Sequence, residues 1–135
     1  MKKFGFCAIL AIILFASLPG AATNGPCATK YPVLLVHGLG HRDDVRLVEY
    51  WGAIPDRLRK EGCRVFLSGH DSLNSHERNA ELIKMRLMSV ISQTGSRKVN
   101  LIAHSKGGLE CRYMISKLGM ASNVATLNMI STTKR

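Results

Sequence analysis

The sequence predicts an α/β domain: a parallel sheet of about four strands with flanking helices. Three observations predict it. Short apolar runs alternate with longer amphipathic stretches, the first of those runs (Pro32 to Val36) is continuous rather than alternating, and glycines mark the joints between them. Continuous hydrophobicity suits strands covered on both faces, as in a parallel sheet. Apolar residues make up 46 % of the 135 and charged residues 21 %, which excludes a disordered chain. The length allows one domain.

Pro32-Val33-Leu34-Leu35-Val36 is the first strand, ending in His37-Gly38. Trp51 to Lys60 has helix character, with Trp51, Ile54 and Leu58 three and four apart. Pro55 fits there only in the first turn. Gly62 stops it, and Arg64 to Ser68 reads as the second strand. Asn74 opens the clearest helix as a capping residue, with Glu77 three positions on. Ala80, Ile83, Leu87 and Val90/Ile91 form its apolar stripe, while Glu81, Lys84 and Arg86 are expected to point away. Gly95 ends it before the third strand, Val99 to Ala103. Ser105 to Lys117 is helical, with Leu109, Tyr113 and Leu118 on a common side, and Val124 to Ile130 is the fourth strand. In such sheets the working site lies beyond the carboxyl ends of the strands. That directs attention to residues 37–39, 68–71, 104–106 and 131–132.

Lys2 and Lys3 followed by an apolar stretch to Leu18 and small residues to Ala22 have the grammar of a secretory signal peptide. Residues 1–22 are read as that signal and 23–135 as the domain, exported to a secreted or periplasmic location. The apolar run is shorter than the roughly 20 residues of a bilayer-spanning helix, so no stable membrane span is expected after cleavage. Cys27, Cys63 and Cys111 remain: Cys111 reads as a buried small hydrophobe, and Cys27 with Cys63 is the pairing to test. No zinc-ligand spacing is present, and neither metal nor cofactor is expected. The formal net charge is +10, but the basic residues are scattered without aromatic interleaving. Solvated helix faces explain that better than a nucleic-acid surface.

Ala103-His104-Ser105-Lys106-Gly107-Gly108 carries the chemistry. A serine between strand and helix, with small residues two positions either side, fits a nucleophile elbow that holds Oγ out on a sharp turn. The bland alternative is Ser105 as an ordinary helix cap. The second signal is His37-Gly38-Leu39 at the same end of the sheet. Acyl transfer needs donors aimed at the developing oxyanion, and the N–H groups of Leu39 and Lys106 are the candidates.

Tyr31 to Leu39, Tyr50-Trp51 and Ala103 to Gly108 together resemble the N-terminal half of a bacterial secreted triacylglycerol lipase of the α/β-hydrolase superfamily. The resemblance runs from about Tyr31 to Thr132. It implies a partial α/β-hydrolase fold, hydrolysis of lipid or other carboxylic esters, Ser105 as nucleophile, and Leu39 and Lys106 as oxyanion donors. His37, Gly38, Ala103, His104, Gly107 and Gly108 support the two motifs.

In such lipases the acid and the histidine follow the serine. Only 30 residues follow Ser105 here, with Glu110 the one acid and no histidine among them. The sequence therefore reads as truncated, lacking C-terminal strands, with an unpaired sheet edge and negligible activity expected. His104 is expected to be structural, His70 and His76 to be exposed loop residues, and His37 and His41 to stay out of the chemistry. Two other classes compete: a secreted non-catalytic binding module on a hydrolase scaffold, and a basic protein that binds anionic polymers.

Overall fold

The computed structural model describes residues 24–39, 50–71 and 73–133. The expected signal segment, Gly40 and His41 lie outside them. The elements run β1 (Val33–Val36), α1 (Ile54–Lys60), β2 (Val65–Leu67), α2 (His76–Thr94), β3 (Val99–His104), α3 (Lys106–Lys117) and β4 (Val124–Ile130), with a 3-10 turn over Ala121–Asn123. All three strand pairings are parallel, in the order β2-β1-β3-β4. The predicted α/β architecture is the observed one.

β1 is central and buried on both faces, which is why its hydrophobicity is continuous. Leu34 and Val36 join a core beneath α2 and α3 with Ala80, Ile83, Leu87, Val90, Leu101 and Met114. Val33 and Leu35 face the other way, into a smaller core with Trp51, Cys63 and Val65. The period of two along a strand divides the same apolar run between two cores. β4, at the sheet edge, is only half covered; Met129 and Ile130 are exposed.

Several local expectations are corrected. α1 begins at Ile54, not Trp51, because Pro55 lacks an N–H and belongs in the first turn. Ile54 is exposed, whereas Trp51 is buried in the turn ahead of the helix. α2 is capped by Ser75 rather than Asn74: the Ser75 hydroxyl accepts from the Arg78 N–H at 3.2 Å. Asn74 instead folds back on the Asp71 carbonyl. Arg86 and Lys84 do not simply point away. Arg86 Nε donates to the Leu67 carbonyl at 2.8 Å with its guanidinium over Phe66, and Lys84 Nζ donates to the Leu118 carbonyl. Long cationic stems lie on apolar surface while their heads find carbonyls.

The buried face of α3 is Gly107, Gly108, Glu110, Cys111 and Met114, not the Leu109–Tyr113–Leu118 side, which is only partly covered. Cys111 is fully buried, as expected, and burial pushes its thiol pKa up. Cys27 and Cys63 meet in the smaller core as free thiols.

Candidate active site

β3 ends at His104 and α3 begins at Lys106, leaving Ser105 alone to turn the chain. It does so at φ 51° and ψ −126°, in the left-handed half of the map that a side chain disfavours. Such a conformation costs on the order of 1–3 kcal/mol and persists only where its surroundings impose it. Those surroundings are visible. The Ser105 N–H donates to the Ile130 carbonyl at 2.9 Å, and its own carbonyl accepts from Gly108 N–H and Thr132 Oγ1. The side chain makes no capping bond to α3, unlike Ser75 at the start of α2. The hydroxyl is not spent on holding the helix together.

The turn after β1 lies directly against this corner. A Cβ on Gly38 would sit 2.8 Å from Ser105 Cβ, 2.8 Å from Tyr50 Oη and 3.1 Å from the His104 carbonyl. Only glycine allows so close an approach. The Gly38 N–H donates to Tyr50 Oη at 2.9 Å, and the same hydroxyl is in short contact with His104 Nδ1. His104 is thus tied into the frame that joins strand ends β1 and β3. Leu39 follows Gly38 with its side chain exposed.

Gly107 and Gly108 are small for a reason the turn alone does not give. A Cβ at 107 would fall 2.4 Å from the His37 carbonyl, and one at 108 would fall 2.3 Å from Thr132 Oγ1. They let the first turn of α3 sink between the ends of β1 and β4. Ala103 is fully buried in the core behind the corner.

Beneath the two turns lies a buried polar cluster that sequence reasoning missed. His70 is 2 % exposed and Glu110 0 %, so the expectation that His70 is a solvent-facing loop residue is overturned. His70 Nδ1 is 2.9 Å from Ser68 Oγ, and Nε2 is 3.2 Å from Glu110 Oε2. Its ring stacks on His37, with centroids 4.1 Å apart and planes 9° from parallel. His37 in turn has Nδ1 3.0 Å from the Gly38 carbonyl. The other Glu110 oxygen accepts from Asn79 Nδ2 at 2.8 Å and lies 3.2 Å from Lys106 Nζ. His76, exposed as expected but the first residue of α2 rather than a loop residue, stands 3.9 Å from that oxygen. Desolvation pushes the Glu110 pKa up, but His70, Asn79 and Lys106 outweigh it and hold the carboxyl below its ordinary value. One signal was legible: Asn79 is four residues before Ile83, on the apolar stripe of α2, and a polar group there demands a buried partner.

Among the described residues, the hydrogen bonds of Ser105 run through its backbone. The ring nitrogens of His70 face Ser68 and Glu110, and His104 is turned to Tyr50. Among those residues, no cluster of three or more His, Cys, Asp or Glu side chains is placed to hold a metal ion. No described helix is long and apolar enough to cross a membrane.

No family model matches the chain. It is 36 % identical over 115 residues to a triacylglycerol lipase of Vibrio cholerae, the match taking in 80 % of this chain and 37 % of the relative. A triacylglycerol lipase of Burkholderia plantarii is 36 % identical, with 92 % and 35 % covered, and one of Pseudarthrobacter phenanthrenivorans 38 % identical, with 80 % and 34 % covered. Among solved structures, a Bacillus licheniformis lipase in its mature form superposes with a TM-score of 0.64 at 20 % identity, over 85 % of this chain and 43 % of that one. Its propeptide form gives the same TM-score at 22 % identity, over 79 % and 23 %. The fold is that of part of an α/β-hydrolase, and the chain, which spans a little over a third of the length of the curated relatives it matches, is similar to triacylglycerol lipases.

Proposed function

We propose that the chain carries the nucleophile-bearing part of a lipase- or esterase-type serine hydrolase that acts on carboxylic esters, acylglycerols among them. Ser105 is the nucleophile, and the N–H groups of Leu39 and Lys106 receive the oxyanion. The observation that carries this reading is a serine at φ 51° between strand and helix, its hydroxyl unused as a cap, with Gly38 packed on its Cβ. That packing brings the Leu39 turn beside the elbow from which Lys106 follows. The likeness to named triacylglycerol lipases supports the ester as substrate class. Residues 1–22 are proposed as an export signal; a secreted chain starting at Thr23 is expected, and retention of a chain that still begins at Met1 would overturn it.

Attack by a serine hydroxyl requires a base to take its proton. No described side chain hydrogen-bonds to this hydroxyl, so the chain alone is proposed to turn over esters negligibly. A fluorophosphonate, which needs a single bond-forming step, tests the site directly. Slow labelling confined to Ser105 and lost in Ser105→Ala is expected, since aligned donors retain part of the catalysis when the triad is incomplete. Labelling that survives Ser105→Ala would refute the assignment. Rapid hydrolysis of a short-chain ester, abolished by Ser105→Ala, would refute the proposal of negligible turnover.

That no described side chain hydrogen-bonds to the Ser105 hydroxyl also favours a second reading, a non-catalytic module that uses the hydrolase scaffold to bind an acyl chain or a partner. It predicts ester binding with no labelling at Ser105.

A further inference from the structure

Glu110 lies on α3 one turn beyond the elbow, fully buried, and its two oxygens face different halves of the candidate oxyanion hole. Oε1 meets Lys106 Nζ at 3.2 Å; that residue's backbone N–H is one proposed donor. Oε2 meets His70 Nε2 at 3.2 Å, and His70 stacks on His37, whose Nδ1 is 3.0 Å from the Gly38 carbonyl. The Gly38 carbonyl belongs to the peptide group that supplies the Leu39 N–H, the other proposed donor. Asn79 ties the carboxylate, and with it α3, to α2, but a fully buried charge needs more partners than one amide. The contacts to Lys106 and His70 are additional, and each leads to one of the two turns. Lys106 Nζ is further held by the Asn74 carbonyl at 2.7 Å, so its side chain is a fixed strut.

We infer that Glu110 is a positioning residue that sets the two oxyanion-hole turns in register, one through Lys106 and the other through the His70–His37 stack. The inference rests on the oxyanion-hole reading above. It adds to that reading a residue that touches neither substrate nor reacting atoms.

Backbone amide NMR on the full chain tests it at neutral pH, independently of any turnover. In Glu110→Gln the amide resonances of Gly38, Leu39 and Lys106 shift together, while those of Val33, Leu34 and Val99 stay in place. Two single-arm variants give the sharper readout. Lys106→Met shifts the Gly38 and Leu39 amides, and His70→Asn shifts that of Lys106. Both shifts are lost in the Glu110→Gln background, which removes the shared carboxylate but keeps the direct packing of Gly38 on Ser105. If each single-arm variant disturbs only its own turn, or a folded Glu110→Gln leaves residues 38 and 39 unmoved, the inference fails. Should Glu110→Gln not fold, the two single-arm variants decide alone. A merely stabilising carboxylate would lower thermal stability in every variant without coupling the arms. In a chain that labels at Ser105, Glu110→Gln slows fluorophosphonate labelling by up to about a hundredfold, the cost of misplacing a reacting group by about an ångström. Absence of labelling in the unmutated chain would count against the serine reading and leave the amide coupling to stand or fall by itself.

Discussion

The helices α2 and α3 pack against the same core and obey different rules. α2 presents Ala80, Ile83, Leu87 and Val90, an apolar stripe three and four residues apart, with one polar residue, Asn79, at its start. α3 buries two glycines, a carboxylate, a cysteine and a methionine. Its first turn is built for close approach rather than for hydrophobic area: Gly107 rides on the carbonyls of Val36 and His37 and Gly108 on Thr132. The contrast extends to the caps. Ser75 uses its hydroxyl to satisfy the first turn of α2, while Ser105 stands at the head of α3 without doing so. A helix that only stabilises can follow its periodicity. One that presents a reactive group gives up apolar burial and capping where the site requires it, and the rest of the core must compensate.

Substitutions can break that comparison. The largest expected effect on stability is in α2, where Leu87→Ala leaves a cavity in the larger core and lowers the unfolding free energy by about 2–5 kcal/mol. Chemical denaturation measures the loss, and the surviving folded fraction should label at Ser105 as before. Gly107→Ala is expected to cost less stability, about 1–3 kcal/mol as overpacking, because its Cβ meets backbone that can move only with β1. It should nevertheless reduce Ser105 labelling more than Leu87→Ala does, since the displaced strand end carries the Gly38 turn. Equal labelling in the two variants would erase the distinction between the helices. The smallest effect has the opposite sign. Ser105→Gly removes the side chain that disfavours φ 51° and should raise stability by about 1 kcal/mol while abolishing labelling. A loss of stability would mean that the Ser105 side chain contributes packing that outweighs its strain.

Much of the architecture was legible in the sequence. β4 falls on Val124–Ile130 and α2 ends at Gly95 in a left-handed cap, both as expected, because a mostly apolar stretch behind Gly119 and a terminal glycine are local signals. The corner at Ser105 was legible for the same reason: a serine framed by Ala103 and Gly107 between strand and helix is a local steric pattern. The start of α1 was misread because Trp51 and Ile54 share a spacing but not an environment; one is buried ahead of the helix and the other exposed in its first turn. The roles of His70 and Glu110 could not be read from spacing, since they are 40 residues apart and neither carries a motif. Their burial follows from the turn after β2 reaching α3, where His70 meets Glu110, which a linear pattern does not encode.

The amino-acid order determined which segments become strands and helices and where the chain must bend sharply, because those choices depend on side-chain size, backbone freedom and hydrophobic period within a few residues. Only the tertiary structure decided that Gly38 presses on Ser105, that Tyr50 links Gly38 to His104, and that one buried carboxylate faces both turns. Those contacts join residues far apart in the chain, and they form only when parallel strands stack their ends at one edge of the sheet.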